Sequence, residues 1–194
     1  MATVLIRLSM LLGPLRHRFT ALERAKEQGI GHYFVPRYTR VVDTAESKDN
    51  INKAYNLIST SKVRNEMIID DVITCVARKQ TPVILTRFKE HAKFLHDALK
   101  EKADHVFLLY GDNSDKENTE IRVKLKQIPE NESLILVATG QKIGEGFDFP
   151  RLDVLMLAAP VSFEGRLEQY VGRLNRDYVG KEAVYVYDLS LIHI

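Results

Sequence analysis

Short apolar runs alternate with helical or polar stretches throughout the second half of the chain, and this alternation restricts the possible folds more than any other feature. Five runs rich in apolar and β-branched residues follow Gln80, at residues 82–85, 106–110, 134–138, 154–158 and 183–187. Helix candidates lie between them at residues 89–100, 117–126 and 166–175. This order predicts an α/β fold with an open, mainly parallel sheet of about five strands and flanking helices. In such a sheet, ligands bind beyond the carboxyl ends of the strands.

The beginning of the chain carries weaker signals. Residues 3–12 predict a strand or connector, and residues 20–28 predict a short helix. Thr20 and Glu23 fit a capping box at the start of that helix. We expect Gly29 to end it in a left-handed conformation, since glycine adopts that conformation without steric cost.

Residues 32–42 should be extended, because a proline within them disfavours a helix and their aromatic and β-branched content suits a strand. Residues 44–80 then carry apolar side chains at helical spacing, which predicts two helices. In the second of these helices we expect Asp70 and Asp71 to form a solvated face. Cys75 lies on the apolar face and is therefore predicted to be a core residue.

Composition excludes several classes of protein. The chain has 28 basic and 26 acidic residues, so any polyanion site must be a local feature. Cys75 is the only cysteine, which excludes a disulfide framework or a cysteine-based zinc site within one chain and fits a cytoplasmic location. His91 and His96 do not have the spacing of a helical zinc pair, so we expect no metal site of the chain's own. The longest apolar run, 154–161, is far shorter than the roughly 20 residues that cross a bilayer, and we expect no membrane contact.

The strongest local motif, residues 169–176, lies where the helix 166–175 is predicted. Its polar members recur at offsets of 0, 3, 4 and 7, which places them on one helical face; they are Gln169, Gly172, Arg173 and Arg176. The other face carries apolar residues that can turn toward the sheet, namely Leu167, Tyr170, Val171 and Leu174. Two guanidinium groups on one face suit a phosphate, although a solvated basic face has the same spacing. Gly172 costs about 1 kcal/mol of helix stability relative to alanine, which suggests a close approach to the backbone.

A glycine-rich segment follows the predicted strand 134–138. Gly140, Gly144 and Gly146 fall within seven residues, so the amides of this loop can face an oxyanion. A simple turn between two elements would have the same composition. The segment is not a Walker A loop, because no Gly-Lys-Ser or Gly-Lys-Thr occurs anywhere in the chain.

Together these motifs resemble those of superfamily 2 helicases, in order and in spacing. Residues 139–148 resemble motif V, residues 169–176 resemble motif VI, and residues 83–88 are similar to motif IV. Gly111 and the downstream Arg122 resemble a strand-end glycine and an arginine found in the same domain. The resemblance is to the C-terminal RecA-like domain, and it is closest to the motor subunits of restriction-type DEAD/DEAH enzymes.

The resemblance implies a division of roles. Arg173 and Arg176 would act as arginine fingers toward ATP, whose phosphates and Mg²⁺ are held mainly by a first RecA-like domain. The nucleotide-binding candidates line the same cleft and are Gly146, Asp148, Gln169 and Gly172. The candidates for contact with a nucleic-acid backbone follow the strand ends and are Thr86, Arg87, Gly111, Thr139 and Gly140. DNA is the expected nucleic acid, with RNA as the alternative.

The same resemblance gives the expected organisation. Residues 1–43 would be a connector from a missing first motor domain, and residues 44–190 would be the C-terminal helicase domain. Residues 191–194 are a candidate for non-native sequence. We expect the chain to be an enzyme only as part of an ATP-dependent motor and inactive alone; a non-catalytic nucleic-acid-binding or regulatory module is the alternative. A dinucleotide enzyme is disfavoured, because no G-x-G-x-x-G follows the first strand.

Overall fold

A computed structural model of the protein describes residues 29–40, 51–111, 113–140, 148–159, 164–189 and 192–193. Within these ranges the strands are β1 Gly31–Pro36, β2 Thr39–Arg40, β3 Pro82–Thr86, β4 His105–Leu109, β5 Leu134–Thr139, β6 Val154–Leu157, β7 Ala183–Asp188 and β8 Ile192–His193. The helices are α1 Ile51–Thr60, α2 Lys62–Ala77, α3 Lys89–Leu99, α4 Asp115–Gln127 and α5 Glu164–Leu174. The predicted strand 3–12 and helix 20–28 lie outside the described residues. Gly29, however, has φ +70°, the predicted left-handed conformation.

Six of the strands form one sheet in the order β1-β7-β6-β3-β5-β4, and every neighbouring pair is parallel. The predicted parallel α/β sheet is therefore confirmed. It has six strands rather than about five, because β1 adds to its edge with Gly31 opposite Ala183. This strand comes from the segment that the sequence assigns to a connector. Strands β2 and β8 form a separate parallel pair.

The central strands are apolar along their whole length because both faces of the sheet are covered. Every residue of β3, β5 and β6 is buried, whereas the edge strands β1 and β4 are partly exposed. Successive side chains of β3 alternate between two cores, with Val83 and Leu85 in one and Ile84 in the other. Helices α2 and α3 pack on the side of Ile84, and α4 and α5 contribute to the opposite core. All-parallel sheets are stable in this three-layer arrangement.

Helices α1 and α2 confirm the predicted helical pair, and Cys75 is fully buried as expected. The prediction for Asp71 was wrong: Asp70 is exposed, but Asp71 is buried and accepts a hydrogen bond from Arg37 Nε at 2.9 Å. A second guanidinium nitrogen contacts the other carboxylate oxygen. Asp71 lies four residues before Cys75, on the same helical face, so it turns inward. Its partner comes from the loop that follows β1.

Helices α3, α4 and α5 have ends that differ by one or two residues from the sequence prediction. Helix α4 begins at Asp115 rather than at 117, because Ser114 and Glu117 form a capping box in which each side chain accepts from the other residue's amide. Helix α5 ends at Leu174, so Arg176 lies in the bend beyond it.

Candidate functional site

The residues predicted to contact nucleic acid gather at the carboxyl edge of the sheet. Thr86 at the end of β3 is the register partner of Thr139 at the end of β5. The register of β4 against β5 places Gly111 and Gly140 at the same level, just beyond the paired residues. Arg87 directly follows β3. Three neighbouring strands therefore bring all five candidates to one edge, where ligands bind in open α/β sheets.

Thr86 is buried, and its hydroxyl takes part in an internal hydrogen-bond network. His91 Nδ1 lies 2.8 Å from Thr86 Oγ1, and His91 Nε2 lies 2.9 Å from Asn65 Oδ1. Burial, assisted by the charge of Arg64, lowers the pKa of His91 to about 4, so the ring is neutral at physiological pH.

The direction of these hydrogen bonds follows from the amide of Asn65. Asn65 Nδ2 donates to the carbonyl of Ser59 at 2.9 Å, so Oδ1 is the acceptor that faces His91. The proton of the neutral ring must then be on Nε2, and Nδ1 accepts from the hydroxyl of Thr86. The hydrogen of that hydroxyl is used inside the protein. The side chain of Thr86 therefore cannot donate to a phosphate in this arrangement.

Arg87 is exposed, and an aromatic ring supports its guanidinium. The Cζ atom lies 4.5 Å from the ring centroid of Tyr55, which is itself buried and meets Phe88 edge-on at 6.2 Å. A cation held over an aromatic face gains about 0.5–1 kcal/mol at an exposed site. Tyr55 therefore orients a positive charge at the carboxyl edge without covering it.

Two lysines that sequence reasoning missed lie on α3 beside the end of β4. Lys93 Nζ is 5.5 Å from the ring centroid of Tyr110 and 3.2 Å from a carboxylate oxygen of Glu90. The side chain of Lys89 passes Gly111, where a Cβ would lie 3.4 Å from its Cε. The two lysines are one helical turn apart, so they lie on one face of α3 and extend the positive charge along the sheet edge. A basic pair at this spacing was the available sequence signal.

Gly140 links the glycine-rich segment to α5. The hydroxyl of Tyr170 donates to the carbonyl of Gly140 at 2.8 Å. A Cβ at residue 140 would lie 2.7 Å from that hydroxyl oxygen, closer than real contacts allow. A side chain at residue 140 would therefore displace the Tyr170 hydroxyl from this hydrogen bond. Around Gly172, by contrast, a Cβ would meet nothing within 4 Å in the described part of the chain, so none of those residues accounts for the expected close approach.

Helix α5 presents the predicted polar and apolar faces. Tyr170 and Leu174 are buried in the core, and Val171 packs against it. Gln169 is exposed and Arg173 is partly exposed. The side chain of Leu167 lies outside the described residues. The apolar face is thus confirmed for the three described side chains. The polar face ends with the helix at Leu174, so Arg176 is not part of it.

Arg176 and Asp148 come together from the two motifs. Arg176 Nε lies 3.6 Å from Asp148 Oδ1, and the side chains are 58% and 63% exposed. Surface ion pairs of this kind stabilise a fold by only about 0–1 kcal/mol. Both groups therefore remain accessible to a ligand. Gly146, the remaining nucleotide-binding candidate, lies outside the described residues.

Lys181 is a further residue of this region that sequence reasoning missed. Its ammonium group donates to the carbonyl of Pro150 at 2.7 Å, to that of Leu174, and to that of Arg176 at 3.4 Å. Burial lowers its pKa to about 8. Since all three acceptors are backbone atoms, no side-chain pattern could have revealed these contacts.

The described ranges contain no helix that combines the length and apolar composition needed to cross a membrane. They also contain no group of three or more histidine, cysteine, aspartate or glutamate side chains arranged to hold a metal ion.

Comparison with known proteins agrees with this geometry. The family model for the helicase conserved C-terminal domain matches residues 63–177. The transcript termination protein A18 of Yaba-like disease virus is 28% identical over 172 residues, which are 83% of this chain and 35% of that protein. The first curated relatives are covered over only 28–35% of their own length.

Two solved structures share the fold. The crystal structure of T4 UvsW aligns with a TM-score of 0.61 at 22% identity, over 81% of this chain and 32% of that one. The type ISP restriction-modification enzyme LlaBIII bound to DNA aligns with a TM-score of 0.60 at 16% identity, over 96% of this chain and 14% of that one. The predicted RecA-like fold is thereby confirmed. Because the family model covers more than half of the 194 residues, the chain belongs to the helicase conserved C-terminal domain family.

Proposed function

We propose that this chain is the C-terminal motor domain of an ATP-dependent nucleic-acid helicase or translocase. In this proposal β1 and residues 44–190 form the motor domain, and the residues before β1 lead to it from a first RecA-like domain. The observation that carries the proposal is the meeting of Arg176 and Asp148, two exposed and oppositely charged groups from separate motifs. Such an exposed pair adds little stability, so both groups stay accessible to a bound ligand.

On the nucleotide side, Arg173 and Arg176 provide cationic forks suited to phosphate oxygens and not to a metal cation. We therefore assign Mg²⁺ and most contacts with ATP to the first RecA-like domain, where the ion would neutralise charge on the phosphates. An arginine finger stabilises the charge that develops on the transferred phosphoryl group and contributes about 10³- to 10⁵-fold in rate. Asp148 can accept a hydrogen bond from a ribose hydroxyl and can hold Arg176 in place before ATP arrives.

On the nucleic-acid side, Arg87 is the side chain best placed for a phosphate, because it is exposed and oriented by Tyr55. Lys89 and Lys93 add positive charge along the same carboxyl edge of the sheet. Gly111 and Gly140 are further candidates for a phosphate contact through their backbone, on the sides not occupied by Lys89 and Tyr170. Contacts of this kind position the strand without reading its sequence.

Thr86 and Thr139 then support this edge from within. Both are buried, and the hydroxyl of Thr86 is committed to His91. DNA is the proposed nucleic acid, because the Ile-Gly-Glu-Gly-Phe-Asp form of residues 143–148 is closer to restriction-type and DNA-repair translocases than to DEAD-box RNA helicases. RNA in place of DNA in the assays below tests this choice.

Arg176→Ala tests the proposal in a motor that carries this chain together with a first RecA-like domain. We expect turnover of ATP to fall by about 10³-fold or more, while the melting temperature and DNA affinity change little. Arg176→Lys should restore only part of the rate, because a point charge cannot replace the planar fork. Lys102→Ala, an exposed residue before β4, serves as the matched control.

The outcomes separate the functional classes. Unchanged turnover in a folded Arg176→Ala motor rejects the finger assignment. Loss of the fold would make the arginine structural. DNA binding without any ATP turnover in the unmodified motor would instead identify a non-catalytic module.

A further inference from the structure

Lys181 joins the two halves of the proposed nucleotide site through one ammonium group. Its Nζ donates to the carbonyl oxygens of Leu174 and Arg176, at and just beyond the end of α5. It also donates, at 2.7 Å, to the carbonyl oxygen of Pro150, which lies two residues after Asp148. One cation therefore holds the backbone on both sides of the Arg176–Asp148 ion pair.

These contacts go beyond the capping of a helix. Lysine side chains often bind the last carbonyls of a helix and balance its dipole, and a cap alone would account for the contact with Leu174. Pro150 belongs to a different segment, which leads into β6 and carries Asp148. The turn before β7 directs the lysine inward: Gly180 has φ +80°, and the amide of Lys181 donates to the carbonyl of Tyr178 at 3.1 Å.

We propose that Lys181 is a positioning residue that fixes the positions of Arg176 and Asp148 relative to each other for ATP hydrolysis. This inference rests on the proposed function. Lys181 acts through the backbone, because its three acceptors are carbonyl oxygens and none belongs to a reacting group. A misplacement of about 1 Å at a reacting centre can cost about 100-fold in rate, so a clamp on both segments can control turnover.

The charge of Lys181 gives the clamp a measurable pH dependence. Burial lowers its pKa to about 8, against the attraction of Asp153 and Asp177. Asp153 faces it from the turn before β6, where Arg151 also lies near that carboxylate, and Asp177 follows Arg176. The protonated amine offers three N–H donors to three carbonyls, whereas the neutral amine has two hydrogens and no charge. Turnover should therefore fall as the pH rises through about 8.

The experiment uses the motor in which this chain is joined to a first RecA-like domain. It compares Lys181→Met, Lys181→Arg and Lys102→Met, the last being the matched control at the opposite edge of the sheet. For each variant it measures kcat and KM for ATP in the presence of DNA, together with the melting temperature. We expect Lys181→Met to lower kcat by about 10- to 100-fold with little change in KM. Lys181→Arg should retain most of kcat and should lose the decline near pH 8, because arginine stays charged.

Two results would overturn the inference. One is an unchanged kcat in a folded Lys181→Met motor. The other is a flat rate of the unmodified motor from pH 7 to pH 9, which remains decisive if Lys181→Met does not fold. Failure of the proposed function looks different, because the unmodified motor would then show no DNA-stimulated turnover at all.

Discussion

The contact between Gly140 and Tyr170 yields a prediction whose size follows from the structure. Tyr170→Phe removes the 2.8 Å hydrogen bond to the carbonyl of Gly140, and a hydrogen bond of this kind stabilises a fold by about 0.5–1.5 kcal/mol. Gly140→Ala places a Cβ 2.7 Å from the hydroxyl oxygen, so the buried side chain of Tyr170 has to shift. Overpacking of this kind costs about 1–3 kcal/mol. Gly140 does not have a positive φ, so an alanine backbone is otherwise tolerated.

The double variant Gly140→Ala, Tyr170→Phe should be less destabilised than the sum of the two single-variant costs. Without the hydroxyl, the nearest atom to the new Cβ among the described residues is Tyr170 Cζ at 3.7 Å, which is an ordinary contact. Gly140→Ala should therefore cost almost nothing when Tyr170 is already phenylalanine, giving a coupling energy of about 1–3 kcal/mol. Urea unfolding of the four proteins measures it. Additive costs, or a neutral Gly140→Ala on its own, would refute the packing argument.

Two further predictions concern the carboxyl edge. Arg87→Ala should weaken DNA binding equally for unrelated sequences and reduce the slope of log affinity against log salt concentration by about 1. Tyr55→Phe should preserve the affinity and this slope, since the ring that supports the guanidinium remains. A sequence-selective loss of affinity in a filter or anisotropy titration would contradict this. His91 has a folded pKa of about 4, below its usual 6.5, so the unfolded chain binds the proton more tightly and stability should fall as the pH drops from 6.5 toward 4. The full loss in the free energy of unfolding is about 3 kcal/mol. Unfolding free energies measured against pH should show this loss in the wild type but not in His91→Gln.

The strands were predictable because a parallel sheet covered on both faces demands continuous apolar runs. Residues such as Ile84 and Leu136 could be placed from composition alone. The sixth strand was missed as a member of the sheet because its exposed aromatic residues, Tyr33 and Phe34, do not show that Ala183 lies beside Gly31. Pairing between distant segments leaves no local signal.

The candidate site was predictable only where a side chain stands in a motif. The spacing of Arg173 and Arg176 indicated a phosphate site on one helical face, but Arg176 lies in the bend beyond the end of α5 and not on that face. Thr86 carried the right residue type for a phosphate contact, yet its hydroxyl is committed to His91, five residues further along the chain. Lys181 gave no signal, because its partners are carbonyl groups that every residue possesses.

The central claim is that this chain is one half of a motor and needs a first RecA-like domain for catalysis. The direct test is the rate of ATP hydrolysis, with and without DNA, by the chain alone and by the chain joined to that domain. We predict no turnover by the chain alone, because it has no Gly-Lys-Ser or Gly-Lys-Thr loop for the phosphates, and DNA-stimulated turnover by the joined protein. Turnover by a contaminant-free preparation of the chain alone, or none by the folded, joined protein, would contradict the claim.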